Sequence, residues 1–163
     1  MRKRRAYSKT AYRPVGTAIE YALRSLTRRR QSERQMREKL EKYFPDEDRE
    51  AVVARLKELG YLNDAEFCQA WIRHRSLTSP RGAYVLRQEL LRKGISAELI
   101  EASLQGLQEH ELIEESAQKK WKNLKDPNVF SRKTKLLRFL ISRGFAFANA
   151  KKVVNTLAAA AEE

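Results

Sequence analysis

Cysteine, glycine and proline are all scarce in this 163-residue sequence, and long apolar runs are missing from it. Cys68 is the only cysteine, so no disulfide can form within the chain, and we expect a reducing compartment. No segment approaches the roughly 18 apolar residues of a membrane span. The basic start MRKRRAYSKTAYRP lacks the apolar core of a signal peptide. These absences predict a soluble cytoplasmic protein with no membrane partner.

The residue types that build catalytic and metal sites are also few. His74 and His110 are the only histidines, and neither has a metal-ligand spacing to the other or to Cys68. The six glycines lie far apart, which excludes a glycine-rich phosphate loop. Cys68 stands three residues before Trp71 and is expected to be a buried apolar side chain. We therefore expect no enzyme activity, no metal and no cofactor.

Positive charge is what the sequence has in excess. Its 34 lysines and arginines outnumber 21 acidic residues, and the net charge of +13 with a pI near 10.1 predicts a polyanionic partner. The charge is concentrated at the ends: residues 1–60 carry +8, residues 61–110 are neutral and residues 111–163 carry +5. A neutral middle favours a partner that is part protein and part nucleic acid, although repeats can also differ in charge without functional reason.

A basic segment anchored by leucine or methionine recurs every fifty residues. It reads MREKLEKYFP at 36–45, LRQELLRKGI at 86–95 and LLRFLISRGF at 136–145. Tyr21, Trp71 and Trp121 keep the same interval, and we expect the two tryptophans to anchor the repeats rather than to stack on bases. Several matches in one register indicate an internal repeat. Leu90 and Leu140 should therefore be buried at equivalent places.

Start and stop signals divide each repeat into three helices. Asn63 with Glu66, and Ser32 with Gln35, have capping-box spacing, and Ser96 is a further candidate cap. Gly60, Gly94 and Gly144 follow leucine-spaced runs as helix-ending glycines do, whereas Glu114 and Glu115 are expected near a helix start. Strand signals are nearly absent.

The predicted fold is therefore all-α, with three tandem three-helix repeats of about 50 residues. Their expected bounds are 17–62, 63–112 and 113–160, after a basic tail, 1–16, that we expect to be disordered. Side-by-side stacking would form an elongated, curved, solenoid-like molecule that aligns equivalent basic faces.

Three segments together resemble the RecX family of proteins that regulate the RecA recombinase. They are LKELGYLNDAEFCQAWIRHR at 56–75, RQELLRKGI at 87–95 and LLRFLISRGF at 136–145, and the resemblance runs from about residue 19 to residue 157. The chain departs from the family pattern at Asn63, where members have aspartate, and at Ala83, where they have proline. Tyr43 and Phe44 replace the basic residue and glycine of the other repeats.

The resemblance implies a non-catalytic modulator that lies in the groove of the RecA–DNA filament. It would inhibit ATP hydrolysis, strand exchange and co-protease activity, by capping filament growth or by promoting disassembly, and so affect recombination and the SOS response. Its partners would be the RecA nucleoprotein filament and single- or double-stranded DNA, bound by a monomer. We expect the residues that contact RecA or DNA to be among the following basic residues: Arg24, Arg28, Arg29, Arg30, Arg81, Arg87, Lys93, Lys133, Lys135 and Arg143.

Two other classes of function remain open from the sequence. A basic helical-repeat protein that binds DNA directly, without a RecA target, would explain the net charge equally well. An enzyme such as a nuclease, with a site that no motif reveals, is the second alternative.

Overall fold

The computed structural model describes residues 17–160, and within this range the chain forms nine α-helices and no strand. The expected tail, 1–16, lies outside the described residues. The helix bounds are α1 Ala18–Arg28, α2 Glu33–Leu40, α3 Asp46–Glu58, α4 Asp64–Thr78, α5 Ala83–Arg92, α6 Ala97–Leu104, α7 Glu109–Asn123, α8 Val129–Ser142 and α9 Phe147–Ala159. The predicted all-α class is confirmed.

Three hydrophobic cores correspond to three groups of three helices. The leucine and methionine register predicted from the sequence lies at the centre of each core, and its six members are completely buried: Met36, Leu40, Leu86, Leu90, Leu136 and Leu140. Trp121 is 8% exposed, and Trp71 is half-buried against the core of the second repeat. Cys68 is fully buried in that core, and burial raises the pKa of its thiol. The three-helix repeats are thus present as predicted.

Local capping signals explain where several helices begin. Ser32 and Gln35 form the expected capping box, and Thr17 and Glu20 form another at the start of α1. Asn63 caps α4 by accepting from two backbone N–H groups, but Glu66 contacts the Asn63 amide rather than its backbone, so the reciprocal box is incomplete. Ser96 caps α6 as expected.

One predicted helix start was wrong. Helix α7 begins at Glu109 behind Gln108, which provides no side-chain cap, so Glu114 and Glu115 lie in the second turn. There Glu115 pairs with Lys119 one turn further along the helix.

The three glycines that were predicted to end helices have left-handed backbone conformations. Gly60, Gly94 and Gly144 have φ of 73°, 83° and 86°. At the end of α8, the Gly144 N–H donates to the Ile141 carbonyl and the Phe145 N–H to the Leu140 carbonyl, which is the Schellman arrangement. These bonds pair the Leu140 and Ile141 carbonyls in the last turn of α8.

The chain divides after Leu62 into two compact units. The described part of the first unit contains α1–α3. The second unit contains α4–α9, with two cores. Within the second unit, the start of α5 contacts the end of α8: the Gly82 N–H donates to the Arg143 carbonyl at 2.9 Å.

Candidate nucleic-acid interface

A basic cleft lies between α1 and α2 in the first repeat. It has a volume of about 240 Å³ and is lined by Tyr21, Arg24, Ser25, Arg28 and Lys39, which we call the α1–α2 cleft. Arg24 and Arg28 are one helical turn apart and exposed, as are Arg29 and Arg30 beyond them. The structure thus places two of the four predicted arginines of the first repeat, Arg24 and Arg28, in the wall of one cleft.

Lys39 belongs to this cleft although the sequence analysis did not select it. Its ammonium donates a hydrogen bond to Ser25 Oγ, which also accepts one from Gln31 Nε2 at 2.6 Å. Burial, followed by the charges of Arg29, Arg28 and Lys42, lowers the pKa of Lys39 below its ordinary value. One signal was available: Ser25 continues the buried Ala18–Ala22 face of α1, where a polar residue needs a partner.

In the second repeat, two of the three predicted basic residues, Arg87 and Lys93, have partners within the repeat. Arg87 forms a two-pronged pair with Glu101, with Nε–Oε1 at 2.5 Å and Nη2–Oε2 at 2.8 Å. The Lys93 ammonium lies 3.9 Å from the centre of the Trp71 ring. Arg75, which the sequence analysis missed, lies 5.0 Å from the same ring and pairs with a carboxylate of α5. These contacts stabilise the repeat, and they mean that Arg87, Lys93 and Arg75 already interact with groups of the protein itself.

Arg81 and Arg143 meet where the second and third repeats touch. The Arg143 Nη1 donates to Ser79 Oγ at 3.0 Å and to the Pro80 carbonyl at 3.3 Å, and its guanidinium lies 4.7 Å from the Phe139 ring centre. Burial and then the charge of Arg81 lower the pKa of Arg143. The Arg81 Nε is buried and has no hydrogen-bond partner among residues 17–160. We call Arg81 and Arg143 the junction arginines.

Two glycines allow this close approach. A Cβ placed on Gly82 would lie 2.2 Å from the Gly144 carbonyl oxygen. A Cβ on Gly144 would lie 2.6 Å from Val85 Cγ2, in a backbone conformation that already disfavours any side chain. The two glycines therefore let the backbones of the second and third repeats approach closely beside the junction arginines.

In the third repeat, Lys135 and Lys133 lie on α8. The Lys135 ammonium is 2.6 Å from Asp126 Oδ2, and this bond, with those from Ser131 and the Asn128 backbone, holds the pKa of Asp126 well below its usual range. Lys133 is half-buried and makes no ion pair with another described residue. Lys135 therefore stabilises the loop before α8, whereas Lys133 remains available to contact a partner.

Arg132 and Lys120 are further basic residues that the sequence analysis missed. The Arg132 guanidinium lies 3.9 Å from the centre of the Trp121 ring, and its Nη2 donates to the Trp121 carbonyl. The Lys120 ammonium lies 5.3 Å from the Phe139 ring that Arg143 also contacts. Basic residues thus recur beside the aromatic rings of the second and third repeats.

Neither a metal-ligand cluster nor a membrane-spanning helix occurs in the described part of the chain. No three histidine, cysteine or carboxylate side chains between residues 17 and 160 come together as metal ligands would. No helix in this range combines the length and apolarity needed to cross a membrane.

Comparison with known proteins gives the same three-part division of the helices. Models of the first, second and third three-helix domains of RecX match residues 18–56, 63–104 and 108–154. Regulatory protein RecX of Chlorobium phaeobacteroides is 35% identical over 129 residues, which cover 78% of this chain and 85% of that protein. Its namesake in Streptococcus pneumoniae is 32% identical over 144 residues, covering 87% of this chain but only 56% of the relative.

Solved structures support the fold. The crystal structure of RecX from Lactobacillus salivarius has a TM-score of 0.76 at 19% identity, covering 86% of this chain and 94% of that one. A second crystal structure, of regulatory protein RecX, has a TM-score of 0.75 at 22% identity, covering 85% and 71%. The three-helix repeats and the matches to RecX proteins together indicate a class of regulatory proteins built from helical repeats. The chain belongs to the RecX family.

Proposed function

We propose that this protein binds the RecA–DNA filament and mainly inhibits it, lowering ATP hydrolysis, strand exchange and co-protease activity. The observation that carries the proposal is the pair of junction arginines. It is made in a chain whose helices lie within the matched RecX domains or extend a few residues beyond them. A partly desolvated, positioned guanidinium pair fits a defined acidic feature of a protein surface better than a diffuse polyanion.

The basic first repeat supports a second contact, with DNA. Arg28, Arg29 and Arg30 are exposed at the end of α1, and such side chains bind phosphates with little dependence on sequence. We propose that this repeat contacts DNA while the junction arginines contact RecA. On this basis the protein acts without catalysis, in the cytoplasm, as a monomer.

The test is RecA ATPase on single-stranded DNA with this protein titrated in. Hydrolysis should fall with increasing protein, because filament binding opposes growth or turnover of the filament. Absence of inhibition at several-fold excess over RecA would contradict the proposal.

The α1–α2 cleft favours a second candidate, direct DNA binding without a RecA target. Equal affinity for naked single-stranded DNA and for preformed filaments would favour that candidate. Turnover of the DNA, checked with and without EDTA, would instead indicate a nuclease.

A further inference from the structure

Helix α8 carries positive charge that its own repeat does not neutralise. Its 14 residues include four cations and no carboxylate. Two of the cations, Arg132 and Lys135, already contact groups of the third repeat. The other two, Lys133 and Arg138, make no ion pair with another residue between 17 and 160. These two cations are therefore available to an anionic partner.

An exposed aromatic ring lies on the same helix. Phe130, in the first turn of α8, is 79% exposed, more than any tryptophan, tyrosine or other phenylalanine in the described chain. The two tryptophan rings are covered, since one cation lies 3.9 Å from the centre of Trp71 and another lies 3.9 Å from that of Trp121. Phe130 has no ring or cation contact of this kind with any residue in the range 17–160. Its ring is therefore the one most open to a flat ligand.

Helical spacing places this ring and the two cations along one side of α8. Lys133 follows Phe130 by three residues and so lies one turn away on the same side. Arg138 follows Phe130 by eight residues, two steps of four, and lies about 12 Å further along the axis. The Thr134 hydroxyl between them is already used, because it donates to the Phe130 carbonyl. We call Phe130, Lys133 and Arg138 the α8 face.

The apolar part of this side of α8 is too interrupted for a partner helix. A helix that docks through its apolar side needs anchor points on successive turns of the surface that receives it. Beyond Phe130, the next exposed apolar side chain on this side is Ile141, about 16 Å further along the helix. Leu137 lies between them but is half-buried and packed against the core of the third repeat. A protein helix would therefore find two separate apolar points rather than a continuous stripe.

Single-stranded DNA matches both the ring and the cations of the α8 face. Bases have flat surfaces that stack on aromatic side chains, and phosphates bind lysine and arginine with little dependence on sequence. We infer that the α8 face binds single-stranded DNA, with one base stacked on Phe130 and backbone phosphates held by Lys133 and Arg138. The third repeat thus contacts a base as well as phosphates. The choice of DNA rests on the proposed function, but the site itself can be tested without RecA.

The first experiment compares binding of a short oligothymidine with binding of an abasic strand of the same length. Phe130→Ala should weaken oligothymidine binding about tenfold, within the range for one base stacked on an aromatic ring. It should change binding of the abasic strand less than about twofold, because that strand keeps its phosphates but has no base. Leu77→Ala is the matched control, since it removes an equally exposed apolar side chain from α4 and should leave both affinities unchanged. An equal loss for both strands, or for both variants, would overturn the inference.

The second experiment measures oligothymidine binding at several salt concentrations. Arg138→Gln should lower the slope of log K against log salt by about 0.7, the value for one phosphate contact with single-stranded DNA. Phe130→Ala should leave the slope unchanged, because stacking releases no counterions. Lys119→Gln is the control for charge, since it removes an exposed cation from α7 in the same repeat. If Lys119→Gln lowered the slope as much as Arg138→Gln, the α8 face would supply general attraction only and the site would be wrong.

Phe130→Trp gives a direct signal of stacking. Tryptophan keeps an aromatic surface, so this variant should bind oligothymidine at least as tightly as the parent. A base stacked on the added, exposed indole should quench its fluorescence beyond any change in the parent, whose two tryptophans are covered. Affinity as low as that of Phe130→Ala, or no added quenching, would contradict a stacked base.

RecA ATPase separates this inference from the proposed function. If Phe130→Ala kept its full affinity for oligothymidine but inhibited RecA less than the parent does, the α8 face would be a protein contact and the DNA assignment would be overturned. If the DNA experiments gave the expected results while the parent did not inhibit RecA, the base-stacking site would stand and the proposed function would fail.

Discussion

At the scale of single residues, the core depends on side chains that the fifty-residue register brings into equivalent places. Leu90 and Leu140 are both completely buried, each in the core of its own repeat. The neighbouring helices surround each of them, so the protein cannot fill the space that a smaller side chain would leave without moving a helix.

We expect Leu90→Ala and Leu140→Ala each to lower the free energy of unfolding by about 2–5 kcal/mol, through lost transfer energy and a residual cavity. Urea unfolding followed by circular dichroism measures the change. Leu77→Ala is the control, because Leu77 is 79% exposed and its loss should change stability by less than about 0.5 kcal/mol. Near-parental stability of both core variants would mean that these leucines are not the centres of their repeats.

At the scale of elements, helix class and register could be predicted because apolar spacing and capping residues act locally. Leu86 and Leu90, four residues apart, define a helix face without knowledge of its neighbours. The start of α7 was missed because Gln108 carries no capping signal. The candidate site was only partly predictable: charge singles out Arg87, but its pairing with Glu101 on another helix depends on packing.

The α5–α8 contact is a second feature that local signals could not predict. Gly82 and Gly144 are separated by 62 positions, and only the packed structure shows the backbone of one against the other. The substitution of Ala83 for the proline of the family pattern is compatible with this contact: α5 begins at Ala83 with Gly82 as its N-terminal cap residue. The close approach therefore fixes the first turn of α5.

Gly82→Ala should lower the free energy of unfolding by about 1–3 kcal/mol, since its new methyl group would collide with the Gly144 carbonyl and force the two repeats apart. Gly106→Ala is the matched control, because a Cβ there meets nothing within 4 Å. Differential scanning calorimetry of both variants measures the difference. An equal change in the free energy of unfolding of both variants would contradict this prediction, because it would mean that a methyl group fits between α5 and α8 at this point.

At the scale of the whole molecule, the basic residues divide by the way they are held. Arg28 and Arg29 are exposed at the end of α1, whereas Arg81 and Arg143 are half-buried where the second and third repeats touch, and Arg143 donates there to the Pro80 carbonyl. Exposed charges contribute an attraction that salt screens, and positioned ones contribute selectivity for a matching surface.

Charge removal should therefore affect two ligands differently. Arg28→Gln with Arg29→Gln should weaken binding to naked single-stranded DNA, by an amount that shrinks as salt rises. Arg81→Gln should lower inhibition of RecA at least tenfold and leave naked-DNA binding within about twofold, because a truncated positioned contact costs roughly 2 kcal/mol or more. Parallel titrations against naked DNA and preformed filaments measure both.

Arg87→Gln completes this set. Its guanidinium is already paired with Glu101, so we expect a smaller loss of inhibition than for Arg81→Gln. Equal losses on both ligands for Arg81→Gln would favour direct DNA binding over filament recognition.

The Gly82–Gly144 contact has a consequence for exchanging parts between relatives. In an ideally modular repeat protein, any repeat could be transplanted into a homologue, but here the residue at position 144 restricts what can stand at position 82. A chimaera that takes its second repeat from one relative and its third from another would join two surfaces that were not selected together. The second and third repeats are therefore one unit of exchange, and the boundary after Leu62 is where a graft should be made.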